Sequence, residues 1–348
     1  MIRIYKCPGC GGEMVYDSGT DSMKCPRCGK TIPVSEIEEK TEAGTATGLT
    51  GQETADNAGS GIKEYKCPGC GASLVTDENT AATFCSFCGS PTLIESRLSG
   101  EFKPSRVLPF KFDKEQAKKN FKEWKGSGFL TPNSFKSAAN MNKVSGVYVP
   151  YWLYSYRTEG DITADCTKKR TSKQGDREII LTDHFVLQQK TSGNYENVPY
   201  DASEAMPDES MAVLEPYDYN DLKTFSLPYL SGFQAEKYGH DSAELKEKVQ
   251  EKLKEDFLDA SEDTIEGYDE VKVTDSNVKF RNEKIEYVML PVWTLIYEYA
   301  GKKYPLYMNG QTGKIDGTVP VSKAKKWGMF GLGFGLCFLV AFILGGVL

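Results

Sequence analysis

The chain has 348 residues, 39% of them hydrophobic, and a formal net charge of −7 at pH 7. Such a length suits two or three domains around one sizeable core, and the mildly acidic balance argues against a protein that coats phosphate backbones. Of ten cysteines, eight fall in one repeated pattern while Cys166 and Cys337 stand alone, a usage that fits a reducing cytosol where thiols stay free for metal.

The chain opens MIRIYKCPGC, which puts cysteines inside what would be the apolar run of a signal peptide, so none is expected. Cys7, Cys10, Cys25 and Cys28 are separated by two, fourteen and two residues, and Cys67, Cys70, Cys85 and Cys88 repeat that spacing. Residues 5 to 11 recur letter for letter as 65 to 71. Two CxxC pairs so spaced suit a tetrahedral sulfur cage around zinc, each pair forming a tight knuckle. Gly11, Gly29, Gly71 and Gly89 follow the knuckles, where a positive φ is needed. The spacing predicts one Zn2+ per module and two per chain; iron in the same cage, or disulfides in an oxidising compartment, are the alternatives. Each module has few apolar residues, so the metal should supply much of its stability.

Between the modules, residues 35 to 62 contain no aromatic side chain and are rich in Gly, Thr, Ala and acids. They read as a disordered acidic tether that leaves the first module mobile, with ends roughly 30 Å apart. From residue 99 aromatic residues crowd in. Asp113 with Gln116 forms a capping box for a helix through Trp124, with Ala117 and Phe121 on one face. Asp241 with Glu244 opens a second helix whose stripe is Leu245, Val249, Leu253 and Phe257. GVYVPYWLYSY, EIILTDHFVLQQ, VKVTDSNVKF and EYVMLPVWTLIYEY read as strands. Pro150, Tyr151, Trp152, Tyr156 and Gly160 are echoed by Pro291, Val292, Trp293, Tyr297 and Gly301, which suggests two similar halves, each a helix followed by an antiparallel meander. Asn309-Gly310 and Thr312-Gly313 supply a hairpin turn.

Residues 328 to 348 carry no charged side chain and would span about 31 Å as a helix, the thickness of a bilayer core. Lys323, Lys325, Lys326 and Trp327 precede them, which predicts a transmembrane anchor with the bulk of the chain on the cytoplasmic side.

Catalytic chemistry is hard to find. His184 and His240 lie in no ligand motif, the lone thiols have no adjacent histidine, and Asn309 to Lys314 lack the frame of a phosphate loop, with Ile315 where its hydroxyl should be. Four-sulfur sites leave no coordination position for water or substrate. Residues 1 to 33 carry five basic and three acidic side chains, and residues 62 to 98 three and four, a poor balance for nucleic acid.

With the ribbons, PFKFDKEQAKKNFKEW, GVYVPYWLY, LPYLSGFQAEKYG and NGQTGKIDGTVP in place, nearly the whole chain resembles a family of bacterial membrane proteins with a TFIIB-type zinc ribbon, the YdjG-like proteins. Some members are loosely labelled PriA-like helicases, a label this chain's lack of a phosphate loop contradicts. The resemblance implies a bacterial cell-membrane setting and work beside SPFH-domain or phage-shock-type proteins; the doubled ribbon departs from its single-ribbon pattern. The expected fold is α+β: zinc ribbons over 1–34 and 63–98, a linker over 35–62, a larger antiparallel α+β domain over 99–322, and a basic juxtamembrane segment with a single-pass transmembrane helix over 323–348. The expected function is a non-catalytic, tail-anchored adaptor that uses structural zinc ribbons for protein–protein interaction. A membrane-tethered nucleic-acid-binding protein is the alternative.

Overall fold

The computed structural model describes residues 5–36 without Lys6 and Glu13, then 62–77, 85–88, 94–96, 104–133 without Phe129, 144–174 and 177–345. Most of the expected linker, residues 37–61, lies outside the described residues. Strand is the dominant structure. The chain forms two compact units, and neither is continuous in sequence: unit one holds residues 1–150, 203–237 and 289–348, and unit two holds 151–202 and 238–288.

In unit one, β1 (Val15–Asp17), β2 (Ser22–Lys24) and β3 (Thr31–Pro33) form the first ribbon's antiparallel sheet. The second ribbon's β4 (Ile62–Lys66) lies between β5 (Ser73–Asp77) and β6 (Ile94–Ser96). Next come β7 (Arg106–Val107) and α1 (Lys114–Ser127), where Asp113 caps the helix by accepting a bond from the Gln116 N–H at 2.7 Å. Ala117 and Phe121 on the inner face of α1 are fully buried.

Two long strands thread both units. One, β8 (Val144–Gln174), turns into β9 (Arg177–Asp201). After α2 (Asp208–Leu214), β10 (Lys223–Thr224), β11 (Gln234–Glu236) and α3 (Ser242–Asp263), the other, β12 (Glu270–Tyr299), leads into β13 (Lys302–Asn309). The chain closes with β14 (Ile315–Gly317) and α4 (Lys323–Gly345). The main sheet runs in the order β10-β7-β12-β8-β11-β5-β4-β6. It is not wholly antiparallel as expected, because β11 runs parallel to β8, with Gln234 facing Val147 and Ala235 facing Tyr148.

Unit one's core is aromatic. Phe110 stacks on Phe233 with centroids 4.4 Å apart, and Trp293 meets Phe110 edge-on at 5.0 Å. Such pairs add to the area they bury. Unit two is a three-stranded sheet, β9-β8-β12, with α3 on one face. Asp241 caps α3 by accepting from the N–H groups of Ala243 and Glu244, and the stripe Leu245, Val249, Leu253, Phe257 is buried. Along β8 the even positions from Tyr154 to Cys166 are buried, while Arg157, Asp161 and Asp165 are exposed on the other face, the alternation of a half-buried strand. Phe257 reaches the sheet only because residue 160 is glycine: a Cβ there would lie 2.5 Å from its ring.

The two halves suggested by the sequence echo are not two bodies in chain order. α1, which precedes the β8–β9 hairpin, packs beside β13, where Asn120 Nδ2 lies 3.7 Å from Met308 Sδ, while α3 lies against β9. Each helix thus packs on a strand of the other suggested half.

The C-terminal span is also corrected. Among the described residues no helix is long and apolar enough to cross a membrane. α4 begins with Lys323, Lys325 and Lys326, and Gly328, Gly331, Gly333 and Gly335 dilute its apolar run. Residues 346–348 and the side chains of 336 and 338–345, on which the expectation also drew, lie outside the described residues. The transmembrane part of the expected fold and the single-pass placement at the bacterial membrane are therefore withdrawn.

Candidate metal centres

Three knuckles share one backbone design. The N–H of Gly11, Gly29 and Gly71 each donates to the carbonyl of Cys7, Cys25 and Cys67 at 2.8 Å, with positive φ of 68°, 76° and 81°. A second bond closes each turn, from the N–H of Cys7 to Gly12 O, of Cys25 to Lys30 O and of Cys67 to Ala72 O. Gly89, after the fourth knuckle, lies outside the described residues. The hairpin β1–β2 joins the two knuckles of the first cage, and β4 and β5 flank the first knuckle of the second.

The result is two sulfur cages. Cys7, Cys10, Cys25 and Cys28 lie with all ligand atoms within 4.8 Å, and so do Cys67, Cys70, Cys85 and Cys88. Sulfur separations are 3.5 Å for Cys7 with Cys28 and for Cys10 with Cys25, and 3.6 and 3.7 Å for Cys67 with Cys88 and Cys70 with Cys85. Disulfide sulfurs sit at about 2.0 Å, so these are free thiols, as every cysteine here is. A tetrahedron with metal–sulfur bonds of about 2.3 Å has edges of about 3.8 Å. The cages match that tetrahedron, and among the described residues no fifth ligand joins either.

The electrostatics ask for a cation. Backbone N–H groups of Gly9 and then Cys10 point at the Cys7 sulfur and, against burial, hold its thiol down to about 7. Burial opposes ionisation of Cys67, yet the N–H groups of Cys70 and Gly69 hold it to about 7 as well. Cys28 is bonded by the Lys30 N–H but is pushed up to about 12 by Cys10 and Cys7 beside it, and burial raises Cys70 to about 11. Part of each cage is thus poised as thiolate, and the rest needs a dication to release its protons.

The second cage is built into the core. β5 pairs with β11, Val75 facing Ala235 and Leu74 facing Glu236, so the ribbon's sheet continues the main one. In its last knuckle Cys85, Ser86 and Phe87 are all buried. Ser86 Oγ donates to Gln234 Oε1 and lies 3.0 Å from Ser145 Oγ, and Lys303 Nζ donates to Cys88 O at 2.6 Å. Sequence reasoning missed these anchors. Their trace was visible, for three knuckles read CPGC, CPRC and CPGC while the fourth reads CSFC. The first ribbon, expected to swing on its tether, is seated instead: Tyr16 lies edge-on to Tyr229 at 5.2 Å, Ser231 Oγ donates to Met14 O, and Asp21 pairs with Lys223.

The remaining sequence candidates fall elsewhere. His240 meets Glu244 at 3.1 Å beside the start of α3, and His184 sits on the exposed strand β9. Cys166 is fully buried and its thiol is pushed up by that burial. The Asn309 to Gly313 segment is a satisfied turn: Asn309 Oδ1 accepts from the N–H of Gln311 and of Thr312.

No family model matches the chain, and no solved structure matches it. It is 37% identical over 350 residues to the uncharacterized protein YdjG of Bacillus subtilis (strain 168), covering 99% of both chains. With identity at that level from end to end, both cysteine cages included in the span, the chain belongs to the family of YdjG.

Proposed function

We propose that the protein is a non-catalytic adaptor whose two cages each hold a structural zinc ion and whose ribbons present protein-binding surface. The carrying observation is that the second cage is coordinatively closed while its knuckle Ser86 and Phe87 are buried in the core. A closed four-sulfur site holds shape and leaves no place for substrate. A cavity of about 260 Å³ beside Tyr16, lined by Asp17 and Asp113, supports the same reading. Its acids are engaged, Asp113 as a helix cap and Asp17 with Gly19 N–H and Lys24, so no acid–base pair is free there.

Metal analysis of the purified chain tests the first half: two zinc per chain are expected, and iron would overturn it. For the second half, partners captured with the intact chain should be lost when Cys10 and Cys28 are both changed to serine. SPFH-domain and phage-shock-type proteins are the first to test. Retention of the chain on DNA at moderate salt, with the steep salt dependence of phosphate contacts, would replace the adaptor reading by a nucleic-acid one.

A further inference from the structure

β9 is an edge. Among the described residues it pairs with β8 alone. From residue 178 to 192 it contains neither proline nor glycine, and its register with β8 shows no bulge over that length. Proline and bulges are among the devices that blunt natural edges, and this stretch has neither, its charges being confined to Glu178, Asp183 and Lys190. Here the reverse holds: Ile179, Ile180, Leu181, Phe185 and Val186 are 47%, 62%, 55%, 42% and 72% exposed. Opposite them on β8 stand Ser172, Thr171, Arg170, Cys166 and Asp165, so the apolar side chains are gathered on the free strand.

α3 does not cover them. It is capped at Thr264, whose Oγ1 accepts from Gln189 Nε2 at 3.0 Å, and beyond it the Tyr268 ring meets Phe185 with centroids 5.4 Å apart. The exposed residues also divide between the two faces, Ile179, Leu181 and Phe185 on one, Ile180 and Val186 on the other. A helix or a flat surface laid on the sheet would cover one set and leave the other wet. A strand added to the edge covers both and fills the free backbone bonds.

The strand that fits is β9 itself. Antiparallel pairing about a two-fold axis normal to the sheet keeps faces matched when the axis passes through a residue. Centred on His184, that register sets Glu178 opposite Lys190 twice, Leu181 opposite Leu187 and Thr182 opposite Val186, and lays Ile179, Ile180 and Phe185 against the side chains of Gln189, Gln188 and Asp183. Lys190 is 90% exposed, and its ion pair with Asp161 is a loose 3.6 Å contact. Opposite charges and paired aliphatic or β-branched side chains are the favourable cross-strand partners. We infer that two copies of this chain associate edge to edge through β9, with His184 on the dimer axis. The inference stands apart from the zinc reading, since β9 belongs to unit two through its whole length.

Sedimentation of the full-length chain at micromolar concentration should give twice the 38.6 kDa chain mass. Residues opposed in antiparallel strands have Cα atoms about 4.5 to 5.5 Å apart, within disulfide reach. His184→Cys should therefore yield a reducible covalent dimer that neither the parent chain nor Ser192→Cys forms. Leu181→Lys, with unchanged circular dichroism, should weaken association by about tenfold or more. A chain that sediments as a monomer, a dimer indifferent to Leu181→Lys, or a His184→Cys chain that fails to crosslink would each overturn the inference.

Discussion

The hydroxyl of Ser86, inside a cysteine knuckle, donates to the side-chain carbonyl of Gln234 in β11, 148 positions further along the chain. A metal-binding turn and the central sheet are thereby one structure, and the consequences of losing the metal should not stop at the ribbon.

Replacing Cys85 by serine should accordingly lower the stability of unit one as a whole. On the sequence alone the damage would be confined to a small module. Chelation of the parent chain should have the same reach. Limited proteolysis with mass spectrometry checks it: new cleavage is expected near β11 and β8 as well as between residues 67 and 88, whereas cuts confined to the ribbon would contradict the continuity of the sheet.

Ser86→Ala is the gentler version. It removes a buried hydrogen bond without touching a metal ligand, and should cost about 1 to 2 kcal/mol in urea unfolding while leaving the metal content unchanged. A loss of metal would mean the hydroxyl supports the cage and not the core.

Glu236, at the end of β11, gives a pH signature. Its carboxylate accepts bonds from Ser203 Oγ at 2.6 Å and from the N–H groups of Glu204 and Ala205, yet burial pushes it up to about 7. An unfolded glutamate titrates near about 4.3, so between those values the folded state holds a proton that the unfolded state has released. Its stabilising contribution is whole at the acid end and is lost as pH rises through 7. Glu236→Gln should flatten that part of the stability profile, and an unchanged slope between pH 5 and 8 would refute the assignment.

In unit two, Gly160→Ala should drive a methyl into the Phe257 ring. Overpacking of this kind costs about 1 to 3 kcal/mol. Phe257→Leu is destabilising alone but should recover part of the loss in the double variant, a coupling that contacting residues show and distant ones do not. Additive costs would place the two side chains apart.

How much of this could be read from the sequence depends on range. The knuckles, the caps at Asp113 and Asp241, the stripe of α3 and the turn at Asn309 are set by residues within a few positions of each other, and each was legible. Pairing of β5 with β11 joins positions 75 and 235, and no local pattern announces it; the only trace was Ser86-Phe87 where the other knuckles have proline. The lengths of β8 and β12 were understated because their outer faces are polar, and Ile162, Ala164 and Cys166 are too small a signal to outweigh TEGDITADCTKKR. The C-terminal span was read from the length of an uncharged run and its basic, tryptophan-bearing flank, and among the described residues the helix there is not long and apolar enough to cross a membrane.

Unit one is assembled from three pieces of chain, and the third begins only at Met289. A ribosome therefore delivers both cysteine cages well before the strands that complete the sheet beside them. The fourth knuckle waits long for its anchors, since Ser145 and Gln234 follow Ser86 by 59 and 148 positions and Lys303 follows Cys88 by 215. A message cut short after residue 288 would therefore yield chains with all eight cage cysteines but without the third piece of unit one.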